Sequence, residues 1–433
     1  MNKLKVAAQV YRNQGLTGLQ ARGRQFTARR VARVRRAVKG KRRVTLEEKQ
    51  MREEFDFLAN DIFQITSADI AASQKAASGP HPKDIKTATW FVPYFNHFAF
   101  GGIQTIFRFI EKLSMEGVQN RIVIYDNSAV DVDKLHTEIA HYFPRLKDYE
   151  LIVFGEDKQA GIDGLPPSDI AFCTLWVSAY LLLRFNKTKR KYYFIQDYEP
   201  LFYVAGSTFA LAESTYRFGF RGIVNTPGLL AAINQRHGLE GVSFIPSVNR
   251  QLYYPDPNRN NKRVRIFFYA RPLNPRNAFV LGVLTIKDLI QKYGNKIEII
   301  TAGAEWDEAE FGLQGHIINK GLIKSIDEVA ALYRSCDIGF SFMMNKHPSY
   351  QMLEYTASGV ATVINYNEDH QWLYKDNINC LLAQPSPAAM AEKIGMLVDS
   401  PQLRARLVKK ATEELAYTWD QQLDMLWNDV KHF

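Results

Sequence analysis

The feature that most constrains this chain is an alternation of short apolar runs with helical stretches. It begins at Thr87 and begins afresh at Val264. TATWFVPYF (87–95) reads as a buried strand, Gly101-Gly102 as a turn, IQTIFRFIEKLSMEG (103–117) as a helix and RIVIYD (121–126) as a second strand. Strand, glycine turn, helix, strand is a βαβ unit. Further strands are predicted at 150–154, 169–174, 191–197 and 221–225, with helices at 176–185 and 228–237. A Pro- and Asn-rich stretch (244–262) interrupts the series. VRIFFYA (264–270) reopens it, and strands at 296–303, 316–321, 337–343, 360–365 and 379–383 follow. They alternate with helices at 277–292, 325–336, 350–358, 387–398, 401–416 and 420–431.

Such alternation implies parallel sheets covered by helices on both faces. The predicted class is α/β: two Rossmann-like domains facing across a cleft, with a basic N-terminal tail and a helical N-terminal segment. The expected divisions are a tail (1–43), a helix and linker (44–86, the helix over 44–65 and the linker over 66–86), a first domain (87–248), a hinge (249–262), a second domain (263–416) and a closing helix (417–433). In open parallel sheets, ligands bind outside the carboxyl ends of the strands, where strand order reverses.

Charge separates the tail from the rest. The chain carries +10, yet residues 1–43 hold 14 Lys/Arg and no Asp/Glu, so the remainder carries −4. The tail reads as a dock for anionic lipid, each basic side chain near the surface contributing about 1 kcal/mol. Val31, Val34 and Val38 share one helical face within it. A nucleic-acid-binding arm and a solvated tail are the competing readings; aromatic residues are sparse among the basic ones, only Tyr11 and Phe26, which speaks against nucleic acid. No apolar run is long enough to span a bilayer and no signal-peptide h-region is seen, so a cytoplasmic protein is expected. Cys173, Cys336 and Cys380 fit reduced thiols. The nine histidines form no HxxH or HExxH set, so no metal is expected. Asp131-Val132-Asp133 looks like a DxD metal motif but precedes a helical stretch, where capping is the better reading.

Several strand-end residues could carry chemistry. Gly101 and Gly102 let backbone approach a ligand at a helix N-terminus. In FIQDYEP (194–200), Asp197 or Glu199 could accept a proton or hydrogen bond from a sugar hydroxyl. In YARPLNPRNA (269–278), Arg271 and Arg276 flank a proline turn where a diphosphate could be clamped. Lys324 ends KGLIKS. KHPSYQMLEYTASG (346–359) sets Ser349 at a helix start, Glu354 one turn in and Gly359 at its end, a pattern suited to a phosphate and a ribose.

These residues resemble, in order and spacing, the retaining GT-B glycosyltransferases of family 4. VNRQLYYP (248–255) is similar to their interdomain hinge, and the likeness covers about residues 87–425. FIQDYEP, IVNTPG and HPSYQMLEYTASG are similar to bacterial rhamnosyltransferases that build cell-surface glycans. The resemblance implies dTDP-β-L-rhamnose as co-substrate, no other cofactor, and a lipid-linked glycan as acceptor. It implies Asp197, Arg271 and Lys324 as catalytic residues. Arg271, Arg276, Gly303, Lys324, Lys346, Ser349, Tyr350 and Glu354 would bind the donor, and Gly101, Gly102, Asp197 and Glu199 the acceptor. The tail would hold the enzyme at the inner membrane face; no nucleic acid is expected, and a homodimer is allowed. Two departures stand out. Lys346 occupies the place of the first glutamate of the family's Glu-x7-Glu, and Asp197 stands near the place of a first-domain histidine. A nucleotide-sugar 2-epimerase and a nucleic-acid-binding module are the rival readings.

Overall fold

The computed structural model describes residues 45–95, 98, 101–414 and 417–432. The basic tail lies outside them. The chain divides at Asn60 into two units. The described part of the first is the helix Leu46–Leu58, started by a capping box in which Thr45 and Glu48 satisfy each other's backbone N–H.

The second unit holds two sheets, every pairing parallel. The first contains β1 (Thr87–Val92), β2 (Gln119–Ile124), β3 (Glu150–Val153), β4 (Ser168–Cys173), β5 (Thr188–Ile195), β6 (Arg221–Asn225) and β7 (Gly241–Phe244). Their order is β3-β2-β1-β4-β5-β6-β7. The second contains β8 (Val264–Ala270), β9 (Ile297–Gly303), β10 (Ile317–Asn319), β11 (Ile338–Ser341), β12 (Ala361–Asn365) and β13 (Leu381–Ala383), ordered β10-β9-β8-β11-β12-β13. Strand order therefore reverses between β1 and β4 in one lobe and between β8 and β11 in the other. These are the crevices where such sheets take ligands.

Apolar strands read as continuous runs because both faces are buried. Trp90 of β1 stacks on Phe172 of β4 at 3.7 Å and donates its indole N–H to Asn120 (2.9 Å). Both needs of a buried Trp, apolar contact and a polar partner, are thereby met. The final helix, Trp419–His432, belongs by packing to the first lobe: Tyr192 donates to the Val430 carbonyl, and the indole N–H of Trp427 to Glu116. The chain thus passes between the lobes twice, and the two passages touch where the Ser247 hydroxyl donates to the Tyr417 carbonyl (2.5 Å).

Three local expectations change. Residues 66–86, expected as a linker, contain the helix Ser67–Ala76. Thr66 and Asp69 cap it, and buried Ser73 accepts a hydrogen bond from the Lys191 ammonium (2.7 Å). A short, Ala- and Ser-rich helix has little apolar periodicity to announce it. The helix expected over 44–65 breaks after Leu58, at the division between units. Strand β7 adds an edge to the first sheet that its four residues did not signal. Asp131 caps the helix Val132–Tyr142 by accepting from the Lys134 N–H, the reading preferred over a metal motif.

Candidate functional site

Two loops leave the carboxyl ends of β8 and β11, beside the second lobe's crevice. They are stitched to each other: the Met344 N–H donates to the Arg276 carbonyl (3.1 Å). From these loops Arg276, Asn345 and His347 converge on one side chain of the other lobe, Asp197, which follows β5. Arg276 Nη1 forms an ion pair with Asp197 Oδ2. Asn345 Nδ2 lies 3.4 Å and His347 Nε2 3.6 Å from the same oxygen. Oδ1 accepts from the Tyr198 N–H at 2.8 Å. Burial alone would raise the Asp197 pKa, but His347 and Arg276 together outweigh it and hold the carboxyl below its usual range. The Arg276 guanidinium also lies over the Phe202 ring, 4.1 Å from its centre.

Glu199, two residues on, behaves oppositely. It is 2% exposed and accepts from the Trp176 N–H (2.5 Å) and the Tyr193 hydroxyl (2.7 Å). Among the described residues no cation faces it, and burial pushes its pKa up to about 8. Its side chain ties β5 to the start of the helix Trp176–Arg184.

A second group gathers around Tyr269 at the end of β8. Arg271 lies over the Tyr269 ring at 5.9 Å, and the Gln351 and Glu354 side chains approach from the helix Tyr350–Ala357. Burial raises the Glu354 pKa to about 7, opposed by a hydrogen bond with Tyr253. Gly303, closing β9 with φ +137°, lets this edge pack closely: a Cβ there would sit 2.7 Å from the Ala270 carbonyl oxygen. Gly359 (φ +71°) closes the helix Tyr350–Ala357.

The other expected residues are placed as follows. Lys324 is exposed in the loop after β10 and shares no described hydrogen bond or ion pair with either group. Lys346 is ion-paired to Asp369 at 2.7 Å, so its ammonium is already engaged. Ser349 stands at the N-cap position but turns its hydroxyl to Gln351. Tyr350 crosses to the first lobe: its hydroxyl shares a hydrogen bond with Thr105 (2.7 Å) and accepts one from Asn225 (3.2 Å). Its ring covers Gly101, where a Cβ would lie 3.2 Å away, while Gly102 faces Gln196, whose amide donates to the Gly102 carbonyl (2.9 Å). Tyr350 thus joins the two lobes.

Sequence reasoning missed Asn225, Asn345 and His347. Asn225 closes β6, while Asn345 and His347 lie in the loop after β11, and that placement was the signal available; a lone His or Asn there forms no motif. Among the described residues, no three His, Cys, Asp or Glu side chains stand together as metal ligands do.

Comparison with known proteins follows this geometry. Residues 91–225 match the WsaF N-terminal domain and residues 264–395 the WsaF C-terminal domain. The O-antigen biosynthesis protein RfbC of Myxococcus xanthus is 40% identical over 342 residues, which is 78% of this chain and 26% of RfbC. The chain thus spans about a quarter of the length of this curated relative. A mutant of S. aureus TarM, in complex with Fondaparinux, alpha-GlcNAc-glycerol and UDP, superposes with a TM-score of 0.63 at 11% identity, covering 81% of this chain and 100% of that one. Sucrose-phosphate synthase from Thermosynechococcus elongatus gives 0.61 at 12% identity over 79% and 98%. At such identities the structural likeness speaks for the fold. With both family domains matched in order, one on each lobe, the chain belongs to the WsaF family and has the two-domain fold of the GT-B glycosyltransferases.

Proposed function

We propose that this chain transfers L-rhamnose from dTDP-β-L-rhamnose to a growing cell-surface polysaccharide on a lipid carrier, retaining the anomeric configuration and using no metal. The observation that carries the reading is the gathering of Arg271, Gln351 and Glu354 around Tyr269 at the carboxyl edge of the second sheet, with Asp197 presented opposite. Arg271 and Lys324 offset the diphosphate charge as it departs, Arg276 assists, and Glu354 holds the ribose. The acceptor lies on the Asp197 and Gly102 side. Its hydroxyl oxygen attacks the anomeric carbon from the face the diphosphate leaves, the sugar–phosphate bond breaks, and the hydroxyl proton passes to the departing diphosphate. The O-antigen role in the name of RfbC supports a surface polysaccharide as product. The UDP and glycan components of the TarM complex support a sugar nucleotide as donor.

The test is product analysis with dTDP-β-L-rhamnose and a lipid-linked glycan. A new β-linked rhamnose, formed equally well in EDTA, is expected. An epimerised sugar nucleotide without a new glycosidic bond would overturn the reading. No described helix is long and apolar enough to cross a membrane. The reading places the enzyme at the cytoplasmic membrane face, held by residues 1–43. Deleting them is expected to abolish binding to anionic vesicles while turnover on a soluble acceptor persists; equal vesicle binding by both forms would remove the tail from the account.

A further inference from the structure

We propose that Asp197 is an internal stand-in for the donor's diphosphate: it occupies Arg276 when the donor is absent, and the donor displaces it, freeing the carboxylate for the acceptor. The inference rests on the sugar-nucleotide reading above and adds an order of events to it.

The geometry is that of an anion in an anion site. Arg276, Asn345 and His347 come from the loops after β8 and β11, on either side of the second sheet's reversal in strand order. A ligand of such a sheet is expected there. What they hold instead is one oxygen of a carboxylate carried by the other lobe. Arg276 already spends Nη1 on the Asp197 carboxylate and Nε on Asn274 (3.4 Å), and a phosphate that takes the Nη1 donor has to displace the carboxylate, because both anions use the same N–H groups. Donor diphosphate and Asp197 therefore compete for Arg276. The pair also spans the lobes, so that competition is coupled to their separation. Entry of the diphosphate breaks a cross-lobe contact and returns Asp197 to its own lobe, on the side assigned to the acceptor. Donor binding before acceptor binding follows directly. Asp197 is thus a positioning residue toward the donor, whatever it touches later.

Competition has a measurable signature. A contact shut nine-tenths of the time reduces donor affinity about tenfold, and removing its carboxylate removes that reduction. Asp197→Asn is nearly isosteric. Calorimetry with dTDP, and with UDP in parallel so that base preference does not mask the effect, is expected to show about tenfold tighter binding by this variant. Its kcat on dTDP-β-L-rhamnose falls at the same time, whereas a merely damaged fold would weaken binding as well. Arg276→Gln is expected to weaken binding. In the double variant Asp197→Asn adds nothing, because its effect is exerted through Arg276. Unchanged or weaker nucleotide binding by Asp197→Asn, or additive effects in the double variant, would sink the latch while leaving the nucleotide site standing. A wild-type chain that binds neither dTDP nor UDP would sink both.

Discussion

The two lobes share one topology and offer opposite chemistry to the space between them. The first lobe's strand-end loop contributes an acid, Asp197. The second contributes Arg271, Arg276, Asn345 and His347. On the proposed reading, a departing diphosphate belongs with the second set, and an acceptor hydroxyl with the first. The asymmetry sharpens inside the first lobe, where Asp197 and Glu199 stand two residues apart. His347 and Arg276 from the other lobe hold Asp197 in its charged form, while Glu199, with only neutral donors, is pushed toward its neutral form. Partners decide the charge of these two acids: both are buried.

The largest expected effect follows from Glu199. Its folded-state pKa, about 8, lies above the ordinary 4.5, so the folded chain holds this proton more tightly than the unfolded chain. The stabilisation is complete below 4.5 and is lost as pH climbs through 8, at about 1.4 kcal/mol per pH unit inside that window. Glu199→Gln removes the titration. Its stability relative to wild type is expected to rise by several kcal/mol between pH 5 and pH 8. Denaturant midpoints across that range check this, and a difference that stays flat with pH would show that Glu199 is charged in the fold.

Next is the second lobe's rim. On the proposed reading, Arg271→Ala and Lys324→Ala are each expected to lose a charge-assisted contact to the diphosphate worth about 1.5–3 kcal/mol, or roughly tenfold to a hundredfold in dTDP affinity. The pair also sharpens the comparison of lobes. Arg271 already belongs to the Tyr269 group, whereas Lys324 would have to swing in from solvent. If calorimetry shows a loss for Arg271 and none for Lys324, the donor site is confined to residues assembled before the ligand arrives.

The fold was largely legible because its signals are local. Apolar runs such as VRIFFYA and VATVIN, separated by amphipathic helices, admit little except parallel sheets. The loops carrying Asp197, Arg271 and Arg276 could be located for the same reason, since strand ends are visible in sequence. Partnership was not legible. That Asp197 meets Arg276, 79 positions away, or that Lys346 is taken by Asp369, depends on how two loops fold toward each other. Glu199 shows the same limit: alternation of strand and loop puts it at the rim, yet the short 3₁₀ turn Glu199–Phe202 rotates it inward. His347 was passed over because a histidine beside a proline signals nothing until a carboxylate from another domain lies opposite it.

The smallest expected effect concerns Tyr350, which joins the lobes without a charge. Its hydroxyl has two partners in the first lobe, Thr105 and Asn225, and its ring stacks near Trp419 with centroids 6.5 Å apart. Tyr350→Phe keeps the ring over Gly101 and deletes only the hydroxyl, leaving Thr105 its other bond, to the Gly101 carbonyl (2.8 Å). The amide of Asn225 is buried, and it loses the partner it had. The cost is expected to be about 1–3 kcal/mol, that of leaving one buried donor unpaired. In a chain of this length it lowers the melting temperature by only a few degrees. The informative comparison is with and without dTDP. If Tyr350 helps hold the lobes together only in the donor-free form, the loss shrinks when nucleotide is bound, because the bound state no longer depends on that contact. An equal loss in both conditions would mean that the Tyr350 contact persists when donor is bound, and that any opening of the cleft is confined to the Asp197–Arg276 side.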